Sequence, residues 1–153
     1  VNEVIDAVGF DFITQPVVEM KFLRQSSAVG GLFDHGKQDY CICLTDFRSD
    51  TLASSPEDFQ RFETLSMVLV DYDFDQERNI FSLDAVYWAE DLVTAELKRL
   101  DKTVNGSFTE RAAACTQLDI RIPEDKASDR MMVILVDKYG NEKSQRLTRK
   151  DFR

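Results

Sequence analysis

The sequence predicts an α+β domain that is mostly β: an antiparallel sheet or β-sandwich with one long helix and one or two short ones packed on it. Three observations predict it. Short apolar or alternating runs bounded by turn residues both open and close the chain. Between them lies a single long stretch with helical spacing. Gly and Pro are scarce, 6 and 3 in 153 residues, and 43% of the chain is hydrophobic, which suits one ordinary core.

The first strand is read at 17–23. Val18, Met20 and Phe22 alternate with Glu19, Lys21 and Leu23, the two-residue period of a half-buried strand. Residues 26–38, with Gly30, Gly31 and Gly36, form a loop or wide turn. A second strand follows at 40–47, with Tyr40, Ile42 and Leu44 on one face and Cys41, Cys43 and Thr45 on the other. Ser55-Pro56-Glu57-Asp58 then reads as a helix start: a capping Ser, Pro at the first helical position, acids in the first turn. That short helix runs to about Phe62.

The clearest strand is 65–74. Its first half is continuously apolar and central, and its second half alternates acids with Tyr72 and Phe74. A turn at 76–79 leads to a short strand at Ile80-Phe81. From 84 to 100, Val86, Ala89, Val93, Leu97 and Leu100 recur at spacings of three and four, predicting a helix that Asp84 caps. A weaker helix is expected at 109–114. The chain returns to strands at 117–122, 131–137 and 142–148. Lys138-Tyr139-Gly140-Asn141 is the tight turn between the last two.

The runs 67–70 and 131–136 are far too short to cross a bilayer. No basic segment precedes an apolar one at the start, and Val1 stands where an initiator Met would. A single domain, cut from a larger protein, is expected over 1–153. Three cysteines are an odd count, which disfavours a disulfide framework and favours a reducing, cytoplasmic setting. A net charge of −9 opposes general binding to polyanions. The charge is uneven, however. Residues 138–153 hold six basic and two acidic side chains, a local +4 against −13 for the rest.

Few side chains suggest chemistry. Asp71, Asp73 and Asp75 have the spacing that opens a calcium loop, but Gln76 and Ser82 stand where such a loop needs Gly and a bidentate Glu. The expectation is three acids on a solvated strand face. Cys41, Cys43, Cys115 and His35 are the elements of a Cys3His zinc site, yet one residue between the paired cysteines is too few for the usual knuckle. Buried thiols in a packed sheet are the simpler reading. His35 is the only histidine, so any nucleophile–base pair built on histidine must use it, and no G-x-S-x-G elbow accompanies it. No catalytic residue, cofactor or metal is therefore expected. Two surfaces remain. Trp88 and Leu92, beside the helical stripe, are candidates for protein-partner contact. Arg146, Arg149, Lys150 and Arg153 are candidates for weak contact with nucleic-acid phosphate, against the simpler reading of a charged, aggregation-resistant edge.

Two segments carry a resemblance. Val70-Asp71-Tyr72-Asp73-Phe74-Asp75 followed by Ile80-Phe81, and the stretch Val133 to Glu142, resemble parts of the C-terminal region of type III restriction-modification DNA methyltransferases. The family's target-base motif (an acid or Asn, two prolines, an aromatic) is absent from this sequence, as is its glycine-containing cofactor loop, so no catalytic residue carries over. The resemblance implies an accessory region that supports a DNA-modifying enzyme. The function expected is thus a non-catalytic accessory or interaction domain of a larger intracellular protein. Its alternatives are a nucleic-acid-contacting module or an extracellular ligand-binding β-sandwich.

Overall fold

The computed structural model describes residues 16–26, 38–49 and 62–153. The chain is α+β and mostly β, as expected. Its strands are β1 (Val17–Ser26), β2 (Gln38–Arg48), β3 (Leu65–Asp71), β4 (Ala85–Trp88), β5 (Leu118–Ile122), β6 (Met131–Asp137) and β7 (Glu142–Leu147). The helices are α1 (Ala89–Arg99) and α2 (Phe108–Ala113), and a 3-10 turn follows at Arg149–Asp151. The readings at Gly30-Gly31, at His35 and over the helix starting at Ser55 fall outside the described residues.

Two antiparallel sheets form, one in the order β1-β2-β5 and the other β4-β3-β6-β7. Their inward side chains meet in one core cluster. Ile42, Leu44, Leu118, Ile120 and Ile122 come from the first sheet, and Val68, Val70, Met131, Val133 and Leu135 from the second. Each set follows the two-residue period of its strand, so the alternation seen in the sequence also sets the layers. Helix α1 packs beside β5 and against β3 and β4. It sends Leu92, Val93 and Leu97 into the same cluster, and this protects the edge of β5. Ser107 caps α2 by accepting the amide of Glu110 at 3.3 Å.

Buried polar links join the two layers. Tyr87, on β4, donates its hydroxyl to the carbonyl of Arg121 on β5 at 2.6 Å. Ser49, just past β2, donates to Asp137 Oδ2 at the end of β6, also at 2.6 Å. The Asp137 carboxylate further accepts the amides of Tyr139 and Asn141 and the side-chain amide of Asn141. Gly140 takes φ +87° in that turn, a conformation costly for residues with a Cβ.

Several expectations need correction. The segment 84–100 is not one helix. Residues 85–88 are strand β4, paired with β3, and the helix begins only at Ala89. Pairing with a central strand outweighed a helical spacing that the apolar residues of 85–88 satisfied equally well. Asp84 caps nothing: its carboxylate accepts the amide of Tyr72 at 2.7 Å, and Trp88 holds the N-cap position without a side-chain bond. The strand at 65–74 stops at Asp71, where the chain bends. The expected strand at Ile80-Phe81 is a single bridge between Asp75 and Ile80.

Candidate functional site

The outer face of the four-stranded sheet

In β3 and β6 the core takes every second residue. The residues between them must point the other way. Strand register places Trp88, Met67, Val136 and Glu142 in one row across the outer face. Val86, Leu69, Ile134 and Ser144 form the next row, and Asp71, Met132 and Arg146 the third. Seven of these side chains are apolar; none belongs to the main core cluster, although Val136 is buried. Both helices and the first sheet contribute to that cluster, so they lie on the opposite side. A sheet face turned away from the core is ordinarily polar. This one is apolar in its first two rows except at β7.

The third row is closed by the segment 72–84. Asp71 is only 1% exposed, because its carboxylate accepts the amides of Asp73 and Ser82 at 2.9 and 2.7 Å. Phe74 is buried outside the core cluster, and the Arg146 guanidinium lies 5.3 Å from its ring centroid. The expectation of three solvated acids is therefore corrected at Asp71 alone; the Asp73 and Asp75 side chains are exposed. Asp71 is a buried acceptor that organises the loop. Asp73 pairs with Arg130 at 3.1 Å, and Asp75 accepts the amide of Arg78 at 3.0 Å.

The first row is open at its edge, where Trp88 is 52% exposed; Met67 is half-buried and Val136 buried. A groove of about 280 Å³ beside Trp88 is lined by Leu65, Ala89, Glu90, Phe108 and Lys138, so it opens toward the helices and not onto the outer face. Leu92, the other residue expected at a partner surface, is 7% exposed and part of the core. Helical register turns it inward. Only Trp88 of the pair can meet a partner in the folded state. Met67, Leu69, Val86 and Ile134 were not singled out from the sequence. The available signal was the unbroken apolar run in two strands, which reads as burial on both sides.

The basic tail and the cysteines

All four basic candidates are exposed, yet they are spread over two sheets. Arg146 lies on the outer face of β7. Arg149 forms a two-pronged pair with Asp129, at 3.0 and 2.8 Å. That contact holds the Asp129 carboxyl down at about 2, so Arg149 is neutralised through the whole neutral range. Arg153 reaches the first sheet, where its amide donates to Phe22 O and its carbonyl accepts from Arg24. Lys150 sits on the 3-10 turn between them.

Cys41, Cys43 and Cys115 are free and buried. Burial pushes the Cys41 thiol up to about 12 and Cys43 and Cys115 to about 11, with Asp119 adding to the first two and Glu96 to the third. Thiolate is the reactive form, so at pH 8 these thiols are inert. Ellman's reagent is expected to react with none of them in the native protein over minutes and with all three once guanidinium unfolds it. Prompt native labelling of one thiol per chain would contradict that burial. Among the described residues no group of three or more His, Cys, Asp or Glu side chains is placed to hold a metal ion, and no helix is long and apolar enough to cross a membrane.

No protein-family model matches the chain, and no curated protein or solved structure matches it.

Proposed function

We infer that this chain is a non-catalytic accessory domain that docks onto another protein or onto other domains of a larger parent chain. The observation that carries the reading is the apolar outer face of the β4-β3-β6-β7 sheet, with Trp88 at its open edge. Apolar side chains on a face whose first two rows no described element covers mark contact surfaces. An exposed aromatic side chain at the edge of such a face is the kind of residue that dominates such contacts. Raised thiol pKa values and dispersed carboxylates support the non-catalytic part.

A role beside a DNA-modifying enzyme rests on the resemblance at 70–75 and 133–142. Those segments span the end of β3 with the bend after it, and β6 with the turn after it; β3 and β6 are paired neighbours. Their acids Asp71 and Asp137 bind backbone amides, so the resemblance speaks to architecture. Nucleic-acid contact through the tail is the weaker reading, because Asp129 already satisfies Arg149. Replacing Arg146, Arg149 and Lys150 with Ala is expected to leave retention on DNA unchanged at any salt. A salt-dependent loss of retention would move the function to the tail.

The face itself is tested by stability. Leu69→Gln and Ile134→Gln, both half-buried, should each cost about 1 kcal/mol in chemical denaturation, as strand positions outside the core do. Val70→Gln and Val133→Gln, their inward neighbours, should cost about 3 kcal/mol or more, because the amide is stranded in the core. Equal costs on both sides would mean that the chain covers this face itself, and the docking reading would fall.

A further inference from the structure

We propose that Asn105 and Gly106 form a self-modifying site, where the asparagine side chain closes on the next peptide nitrogen and deamidates, with the Glu110 carboxylate as the base. The closure needs a side-chain amide free to turn, a following nitrogen that is unbound and unshielded, and backbone outside regular structure. Asn105 and Gly106 are both exposed and lie between α1 and α2, outside helix and strand. Among the described residues neither the Asn105 side chain nor the Gly106 amide has a hydrogen-bond partner. Gly106 brings no Cβ to shield its nitrogen. The other asparagines fail at least one condition. Asn141 donates its side-chain amide to Asp137 at 3.0 Å, and Glu142 after it opens β7. Asn79 precedes the β-branched Ile80, whose amide is already donated to Asp75 O at 3.2 Å. Asn2 lies outside the described residues.

The chemistry balances within the chain and water. The Gly106 nitrogen attacks Asn105 Cγ, and a new C–N bond closes a five-membered imide. The Cγ–Nδ2 bond breaks, and Nδ2 leaves as ammonia with the proton that the Gly106 nitrogen gives up. Water then opens the ring, at Cγ to give aspartate or at the main-chain carbonyl to give isoaspartate. Either product adds one negative charge. Glu110 supplies the proton relay. Its carboxylate lies over Gly106, in the space that a Cβ of residue 106 would fill. Ser107 Oγ donates to Glu110 Oε1 at 3.4 Å, and the same oxygen caps α2 by accepting the Glu110 amide. From there the carboxylate reaches the Gly106 amide directly or through one water, takes its proton and passes it to the departing nitrogen. Because the base is itself an anion that becomes neutral, no net charge builds up during the attack.

Ageing the whole folded chain at about 37 °C and mapping its peptides by mass tests this. The peptide holding Asn105 should gain ~1 Da and split into aspartate and isoaspartate forms, while those holding Asn79 and Asn141 stay unchanged. Gly106→Ala should slow the change about tenfold, since a methyl group then shields the attacking nitrogen. That methyl displaces only the flexible end of Glu110, so the variant folds. Glu110→Gln should slow the change about threefold at about pH 7, and its rate should meet that of wild type by about pH 9, where hydroxide replaces the carboxylate. Circular dichroism should show both variants folded. Asn105 deamidating no faster than Asn79 and Asn141 overturns the site. A Glu110→Gln rate equal to wild type at about pH 7, or slower by the same factor at both pH values, overturns the role of Glu110 as the base.

Discussion

Replacing Asp137 with Ala should cost about 3 kcal/mol of folding stability and lower the melting temperature by roughly 6–12 °C. Asp137 is 2% exposed, and its carboxylate accepts four hydrogen bonds. Two come from amides of the β6–β7 turn, at 2.9 and 2.7 Å. A third, from Asn141 Nδ2 at 3.0 Å, holds the same turn. The fourth, from Ser49, crosses to the end of β2 and so ties one sheet to the other. Alanine removes both acceptor oxygens with their four hydrogen bonds and strands a buried hydroxyl, which is costlier than removing both partners together. Asp137→Asn keeps one oxygen and should lose about half as much. The double variant Asp137→Ala with Ser49→Ala should be less damaged than the two single losses summed, since both remove one shared bond. A loss below about 1 kcal/mol for Asp137→Ala would show that water replaces the carboxylate without penalty.

Phe152→Ala is expected to cost about 3 kcal/mol, the low end for emptying a buried aromatic site, because the chain near it can partly collapse. The ring is buried in the core cluster and stands edge-on to Phe22 and Tyr40, with centroids 5.4 and 5.2 Å away. It also anchors the backbone pair that lays Arg153 along β1. Hydrogen exchange adds a second readout. The amides of Arg24 and Arg153 should lose protection well beyond the global change, while Val133 and Leu135 should follow only the global change. Uniform loss across all four would mean that the tail is part of one indivisible core and does not act as a local clamp.

Much of this architecture is legible in the residues themselves. Alternation located β1 and β5, and Gly140 beside Asn141 located the last hairpin, because each signal is local and has one structural solution. The errors arose where a local pattern had two solutions. Val86, Ala89, Val93 and Leu97 fit a helix that starts at 84, and only pairing with β3 decides that 85–88 is a strand. Leu92 lies one position from Val93, and helix register alone determines that both turn inward. Asp71 looked solvated because an acid is usually exposed; its partners are loop amides, and backbone donors leave no trace in a sequence. The outer face was concealed for a related reason. The runs at 67–70 and 131–136 read as strands buried on both sides, whereas the described helices and the first sheet pack on one side only.

Neighbouring methionines on β6 offer the sharpest contrast between the two sides of that sheet. Met131 is fully buried in the core, whereas Met67, Met132 and Trp88 belong to the outer face. Hydroxyl-radical footprinting of dilute protein should oxidise Met67 and Trp88 readily, Met132 more slowly beneath its loop, and Met131 hardly at all. Oxidation of Met67 as slow as that of Met131 would contradict the account, since the face would then have no surface to offer a partner.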